Sequence, residues 1–114
     1  MHLAIDIEEA KKRVDGDTEI LRELFAIFLD ELPRMMSDIA RALTQSDAKA
    51  LQHSAHSLKG SAANLSAKPV SEVACAIEVA ARDGNLSGAQ VQYASLESEV
   101  VRLCAALEDP AIAA

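Results

Sequence analysis

Leu51-Gln-His-Ser-Ala-His-Ser-Leu-Lys-Gly-Ser-Ala-Ala-Asn-Leu65 is the stretch whose phase decides the fold. Its apolar residues Leu51, Ala55, Leu58, Ala62 and Leu65 recur at spacings of four, three, four and three, which makes one stripe of an amphipathic helix. At about 100° per residue, His56 falls roughly 145° from the middle of that stripe, with Gln52, Lys59, Gly60 and Ala63 grouped around it. His56 is therefore expected to face water. Gly60 stands on the same face, although glycine inside a helix costs about 1 kcal/mol relative to alanine. With Ala63 it leaves a bare, low patch beside the imidazole, across which another protein's surface could come close.

Outward from this helix the chain reads as further helices. Asp6 and Glu9 form a capping box for a short first helix, with Ile5 and Ala10 spaced as a hydrophobic staple. Asp15-Gly16 stops it after Val14. Asp17 or Thr18 caps a second helix whose apolar positions are Leu21, Phe25, Phe28, Leu32, Met35 or Met36, Ile39 and Leu43. Pro33 lies inside that run; because the rhythm continues in phase past it, a kink is expected rather than a break. Thr44-Gln-Ser-Asp47 is a polar turn into the Leu51–Leu65 helix, and Ser66-Ala-Lys-Pro69 breaks the chain after it, with Pro69 at the first position of the next helix. Val70, Val73, Ala74, Ile77 and Ala81 are that helix's stripe, stopped by Gly84-Asn85. Ser87 with Gln90 reads as a second capping box, followed by Ala89, Tyr93, Leu96, Val100, Leu103 and Leu107.

Short turns between long helices make neighbours antiparallel. The expectation is an all-α, up-down-up-down four-helix bundle over about residues 18–107, a short additional helix over about 6–14 at one end, and a frayed tail at 108–114 that contains Pro110. The four stripes can bury one another and leave no fifth for a partner subunit, so a monomer is expected. The sequence shows no strand pattern, repeat or second domain.

Composition narrows the function. A chain of 114 residues has room for one domain and none for an ATP-binding kinase domain besides. Half the residues are hydrophobic, yet only two Phe, one Tyr and no Trp are present, so Leu, Ile, Val and Ala must build the core. The net charge of −7 argues against nucleic acid and against anionic membrane surfaces. Without a bilayer-length apolar run or a signal-peptide pattern, the expected compartment is the cytoplasm. Cys75 and Cys104 belong to no short-spaced pair and are expected as reduced packing residues. His53 and His56 could make half of a metal site, but no third ligand follows at suitable spacing, so no bound metal is expected. His2 lies in the first residues of the chain and carries no reading.

The run Ala55-His-Ser-Leu-Lys-Gly-Ser-Ala-Ala-Asn-Leu65 resembles the signature of histidine-containing phosphotransfer (HPt) domains, the modules of multistep phosphorelays. The likeness extends through Gly16-Asp-Thr-Glu-Ile-Leu-Arg-Glu-Leu-Phe25, Phe28-Leu29 with Pro33, and Leu43 to Leu51, and spans about residues 5 to 107. It implies that His56 carries the phosphoryl group, that Lys59 supports it, and that Gly60 leaves room for a response-regulator receiver domain. Gln52 and Ala63 would be neighbours, and Glu78 and Arg82 on the next helix would flank the histidine, Glu78 orienting the imidazole. The receiver would bring the acceptor aspartate and its magnesium ion, so no cofactor is expected on this chain. A hybrid sensor kinase in cis is one setting the likeness allows.

Two alternatives share these features: the phosphoacceptor domain of a chemotaxis-type kinase, labelled from ATP by a separate kinase domain, and a non-catalytic helical scaffold. The dimeric helices of ordinary sensor kinases fit less well, because Ser57 follows His56 where an acidic residue is usual. Ser66 also departs from the resemblance, since a glycine usually closes the motif helix; this puts the geometry of that turn in question.

Overall fold

The computed structural model describes residues 3–108, and among them five helices follow one another: α1 (Ile7–Arg13), α2 (Thr18–Thr44), α3 (Ala48–Asn64), α4 (Lys68–Arg82) and α5 (Leu86–Leu107). His2 and the expected tail beyond Glu108 lie outside the described residues. Links of three residues, 45–47, 65–67 and 83–85, join the last four helices. Each packs on the next, and α2 meets α5 to close an antiparallel four-helix bundle, with α1 against α2 as the short extra element. No helix among the described residues is long and apolar enough to cross a membrane.

The α3 stripe sets the interior. Leu51, Ala55, Leu58 and Ala62 are fully buried and Leu65 nearly so, as their spacing requires. In α2 the buried positions are Leu21, Phe25, Phe28, Leu32, Met35, Ile39 and Ala42. Met35 is therefore the core methionine, while Met36 is only half-buried, and Ala42 displaces Leu43 from the interior. Counting by four and three from Met35 through Ile39 leads to position 42, whereas Leu43 lies about 100° further round. Pro33 is exposed and α2 runs through it as one element, because on the outer face the missing amide costs no buried partner. Both cysteines are free and half-buried.

Three local readings are corrected. Asp6 caps α1 by accepting from the Glu9 amide (3.1 Å), but the Glu9 side chain does not return the bond. It turns instead to the Ser66 hydroxyl (2.8 Å) and to Lys68 and Arg13 (both 3.4 Å), while the Asp6 amide donates to the Ser66 carbonyl. Ser87 and Gln90 do not cap α5. Gly84, at φ +73, reverses the chain at once, so Asn85 becomes the cap, accepting from the Gly88 amide at 2.9 Å. Pro69 is the second residue of α4, after Lys68.

Ser66 itself adopts the left-handed φ of +59 that a glycine would take, and it is 1 % exposed. A backbone of this kind costs a serine on the order of 1 kcal/mol. The hydroxyl bond to Glu9 and the carbonyl bond from Asp6 tie the strained residue to α1, so the turn closes without glycine.

The stripes also leave more apolar surface than expected. Ile20, Leu24 and Ile27 on α2 are 45 %, 39 % and 57 % exposed. They repeat at four and three, out of phase with the core stripe, and form a second apolar row on the same helix.

Candidate functional site

His56 projects from the middle of α3, and its side chain is 64 % exposed. The rest of the site comes from α4, which is seated on α3 by the buried Val70, Ala74 and Ile77 and by the Ser71 hydroxyl donating to the Lys59 carbonyl at 3.1 Å. That seating brings Glu78 over His56. His56 Nδ1 lies 2.7 Å from Glu78 Oε2, and Lys59 Nζ donates to Oε1 of the same carboxylate at 2.6 Å. The Glu78 side chain is only 17 % exposed, while its contact with His56 lies at the surface and that with Lys59 is half-buried.

The electrostatics follow from this pairing. Glu78 is held below the usual carboxylate range, first by the hydrogen bond from Lys59 and then by that from His56, against the opposing effect of burial. Lys59 is raised by its bond to Glu78. A carboxylate in that state can only accept, so the hydrogen in the contact belongs to Nδ1. In the neutral ring Nε2 is then the nitrogen with the free lone pair, on an exposed side chain.

A family model described as Hpt domain matches residues 23–109, most of the chain. The chain belongs to the Hpt domain family. Comparison with curated proteins and with solved structures found no match. Hpt domains carry out histidine phosphotransfer in phosphorelays and interact with receiver domains. The match begins inside α2, so α1 lies outside it while Ser66, to which α1 is anchored, lies within.

Within this Hpt domain, His56, Lys59 and Glu78 come together. Gln52 is half-buried one turn before His56, while Gly60 and Ala63 are exposed beyond it. A Cβ built on Gly60 would meet nothing within 4 Å, so its bareness serves no packing inside the domain. Arg82 does not join the group: it is exposed and pairs at 3.5 Å with Asp83, its neighbour in sequence. It stands one turn beyond Glu78 as the last residue of α4. His53 is exposed and lies with Ser57 and Asp38 along a polar hollow of about 200 Å³ between α2 and α3. Among the described residues no three His, Cys, Asp or Glu side chains converge as a metal set would need.

The α2 side of the site was not foreseen. A second hollow of about 170 Å³, lined by Leu24, Ile27 and Phe28 across from Ser61 and Asn64, continues from the first through Glu31 and Ser61. The signal was present in the sequence as Ile20, Leu24 and Ile27, apolar residues that fall off the core phase of α2.

Proposed function

We propose that this Hpt domain is a phosphorelay intermediate: His56 accepts a phosphoryl group from the aspartate of one receiver domain and passes it to another. The observation that carries the reading is an exposed imidazole whose Nδ1 is committed to Glu78, leaving Nε2 as the nucleophile. In the transfer, the Nε2 lone pair forms the N–P bond while the P–O bond to the receiver's aspartate breaks and its electron pair stays on that carboxylate. The positive charge that develops on the ring faces Glu78 through Nδ1–H. Lys59, one turn from His56, supports the phosphoryl oxygens. Such transfers proceed through a loose transition state that rewards alignment and charge neutralisation. Both oxygens of the carboxylate at His56 are already occupied, so these residues do not make a magnesium site, and in our reading that ion belongs with the receiver's aspartate.

Access comes over the bare side. Gly60 and Ala63 let the receiver approach, and its apolar surface covers Leu24 and Ile27, which stand exposed across from Ser61 and Asn64. The module works as a cytoplasmic monomer, and a cis arrangement with a hybrid sensor kinase is compatible with it.

The test is transfer of radiolabel from a phosphorylated receiver. His56→Gln is expected to abolish labelling with the fold intact, because an exposed side chain carries little packing energy. The wild-type label should be acid-labile and base-stable, as a phosphoramidate is. Labelling that persists in the variant, or appears only with ATP and a kinase domain, overturns the reading.

A further inference from the structure

The Glu78 carboxylate is engaged on both oxygens at once, by His56 Nδ1 at 2.7 Å and by Lys59 Nζ at 2.6 Å. Orienting the ring needs one oxygen. The second holds the very cation that a phosphoryl group on Nε2 would recruit. We propose that Glu78 is a positioning residue that keeps Lys59 in reserve, holding the ammonium while His56 is free and yielding it when the phosphoryl group arrives. This rests on the reading of His56 as the phosphoacceptor.

Charge balance explains why the exchange is feasible. In the form able to attack, whose Nε2 lone pair requires a neutral ring, Glu78 faces that ring and an ammonium. Attack by Nε2 leaves Nδ1–H in place and puts a positive charge on the ring, so the carboxylate gains a cation at Oε2 as it loses one at Oε1. The phosphoryl group brings close to two negative charges and three acceptor oxygens. Lys59 is a compact charge on a flexible stem, one helical turn from His56, with its side chain 31 % exposed, so it is free to swing between the two. The carboxylate thus trades an ammonium for an imidazolium. Because Lys59 must first leave Glu78, the phosphohistidine is stabilised less than an unattached lysine would stabilise it. The group therefore remains easy to pass on.

A double-mutant cycle on the receiver-to-His56 equilibrium isolates this coupling. Glu78→Gln keeps a carbonyl oxygen for Nδ1–H but removes the charge that retains Lys59. Its effect on the equilibrium is compared in the wild-type and Lys59→Ala backgrounds. The expected result is a ratio roughly three- to fivefold more favourable to phosphohistidine when Lys59 is present, the scale of one partly exposed ion pair. Equal ratios overturn the proposal while leaving His56 as the acceptor; absence of label in all four proteins overturns both. The resting half is read without any phosphorylation, from the Lys59 ammonium signal in ¹H–¹⁵N NMR. A hydrogen-bonded, slowly exchanging signal that disappears in Glu78→Gln supports the latch, and one that survives unchanged overturns it.

Discussion

The two flanks of His56 are built to opposite specifications. Toward α4, Glu78, Lys59 and the Ser71 hydroxyl knit α3 to its neighbour with short polar bonds. Toward α2, Gly60 and Ser61 carry almost no side chain, and across from Ser61 and Asn64 stand the exposed Leu24 and Ile27. One flank fixes the ring by filling its polar valences; the other leaves apolar area that the fold has not used. The difference teaches that rigidity and vacancy can be joined at one residue, because a single helix turns a different neighbour to each side.

The largest expected effect attacks the bare flank. Gly60→Gln should slow phosphotransfer about a hundredfold by holding the two reacting groups about 1 Å too far apart. Its Tm should stay level or rise, since glycine gives way to a good helix former in open space. Stopped-flow transfer together with a thermal melt checks both, and a normal transfer rate would erase the contrast between the flanks.

Next in size is Ile27→Asp. It should weaken receiver binding about tenfold, as an apolar contact residue at an interface does, while leaving the maximal rate of the bound complex unchanged. Titration of the rate against receiver concentration separates the two. Loss of maximal rate instead would make α2 part of the reacting geometry.

Acid should separate the flanks in the unphosphorylated protein. A carboxylate held below its ordinary value of 4.5 contributes stability that is fully present above that value and is lost as pH falls through the lowered one. Lys59, being raised, contributes below 10.5 and loses that contribution only as pH climbs beyond it. NMR resonances of Glu78 and Lys59 should therefore shift with a midpoint below 4.5, with Ala63 unmoved. A midpoint at or above 4.5 would mean that the polar flank is not knitted in solution.

The smallest effect concerns the turn that aims α4 back along α3. Ser66→Ala keeps the left-handed backbone and loses the bond to Glu9, so Tm should fall by a few degrees, the scale of one hydrogen bond in a small domain. Ser66→Gly loses the same bond but relieves the backbone, and should melt above Ser66→Ala. The reverse order would show that the loss of chain stiffness outweighs the relief of the left-handed backbone.

What could be read in the sequence was whatever one helix dictates by itself. The α3 stripe and the exposure of His56 follow from a period of 3.6, and α2 continues through Pro33 because the core phase does. What escaped depends on two helices at once. The resemblance put Glu78 beside the imidazole, but its second grip, on Lys59, is set by how α4 lies on α3, and so is the exclusion of Arg82, which the resemblance also placed at the histidine. Ile20, Leu24 and Ile27 were legible as letters, but counting one stripe per helix hid a second. The cap of α5 was missed because the left-handed Gly84 moved the start two residues earlier than Ser87 suggested. The departure at Ser66 was noticed, but its remedy lies some sixty residues away at Glu9 (|i−j| = 57).

That remedy gives the molecule two tiers of opening. A helix of seven residues is marginal alone, and α1 is held by the buried Ile5 and Ala10 and by polar ties to the 65–67 link and to Lys68. Its amides should exchange with deuterium through a local lifting event, whereas those around Leu58 and Ile77 wait for the whole bundle to come apart. Lifting α1 breaks the bonds of Glu9 and leaves those of Glu78 untouched, so one end of the domain breathes while the His56 ring keeps its hold on Glu78.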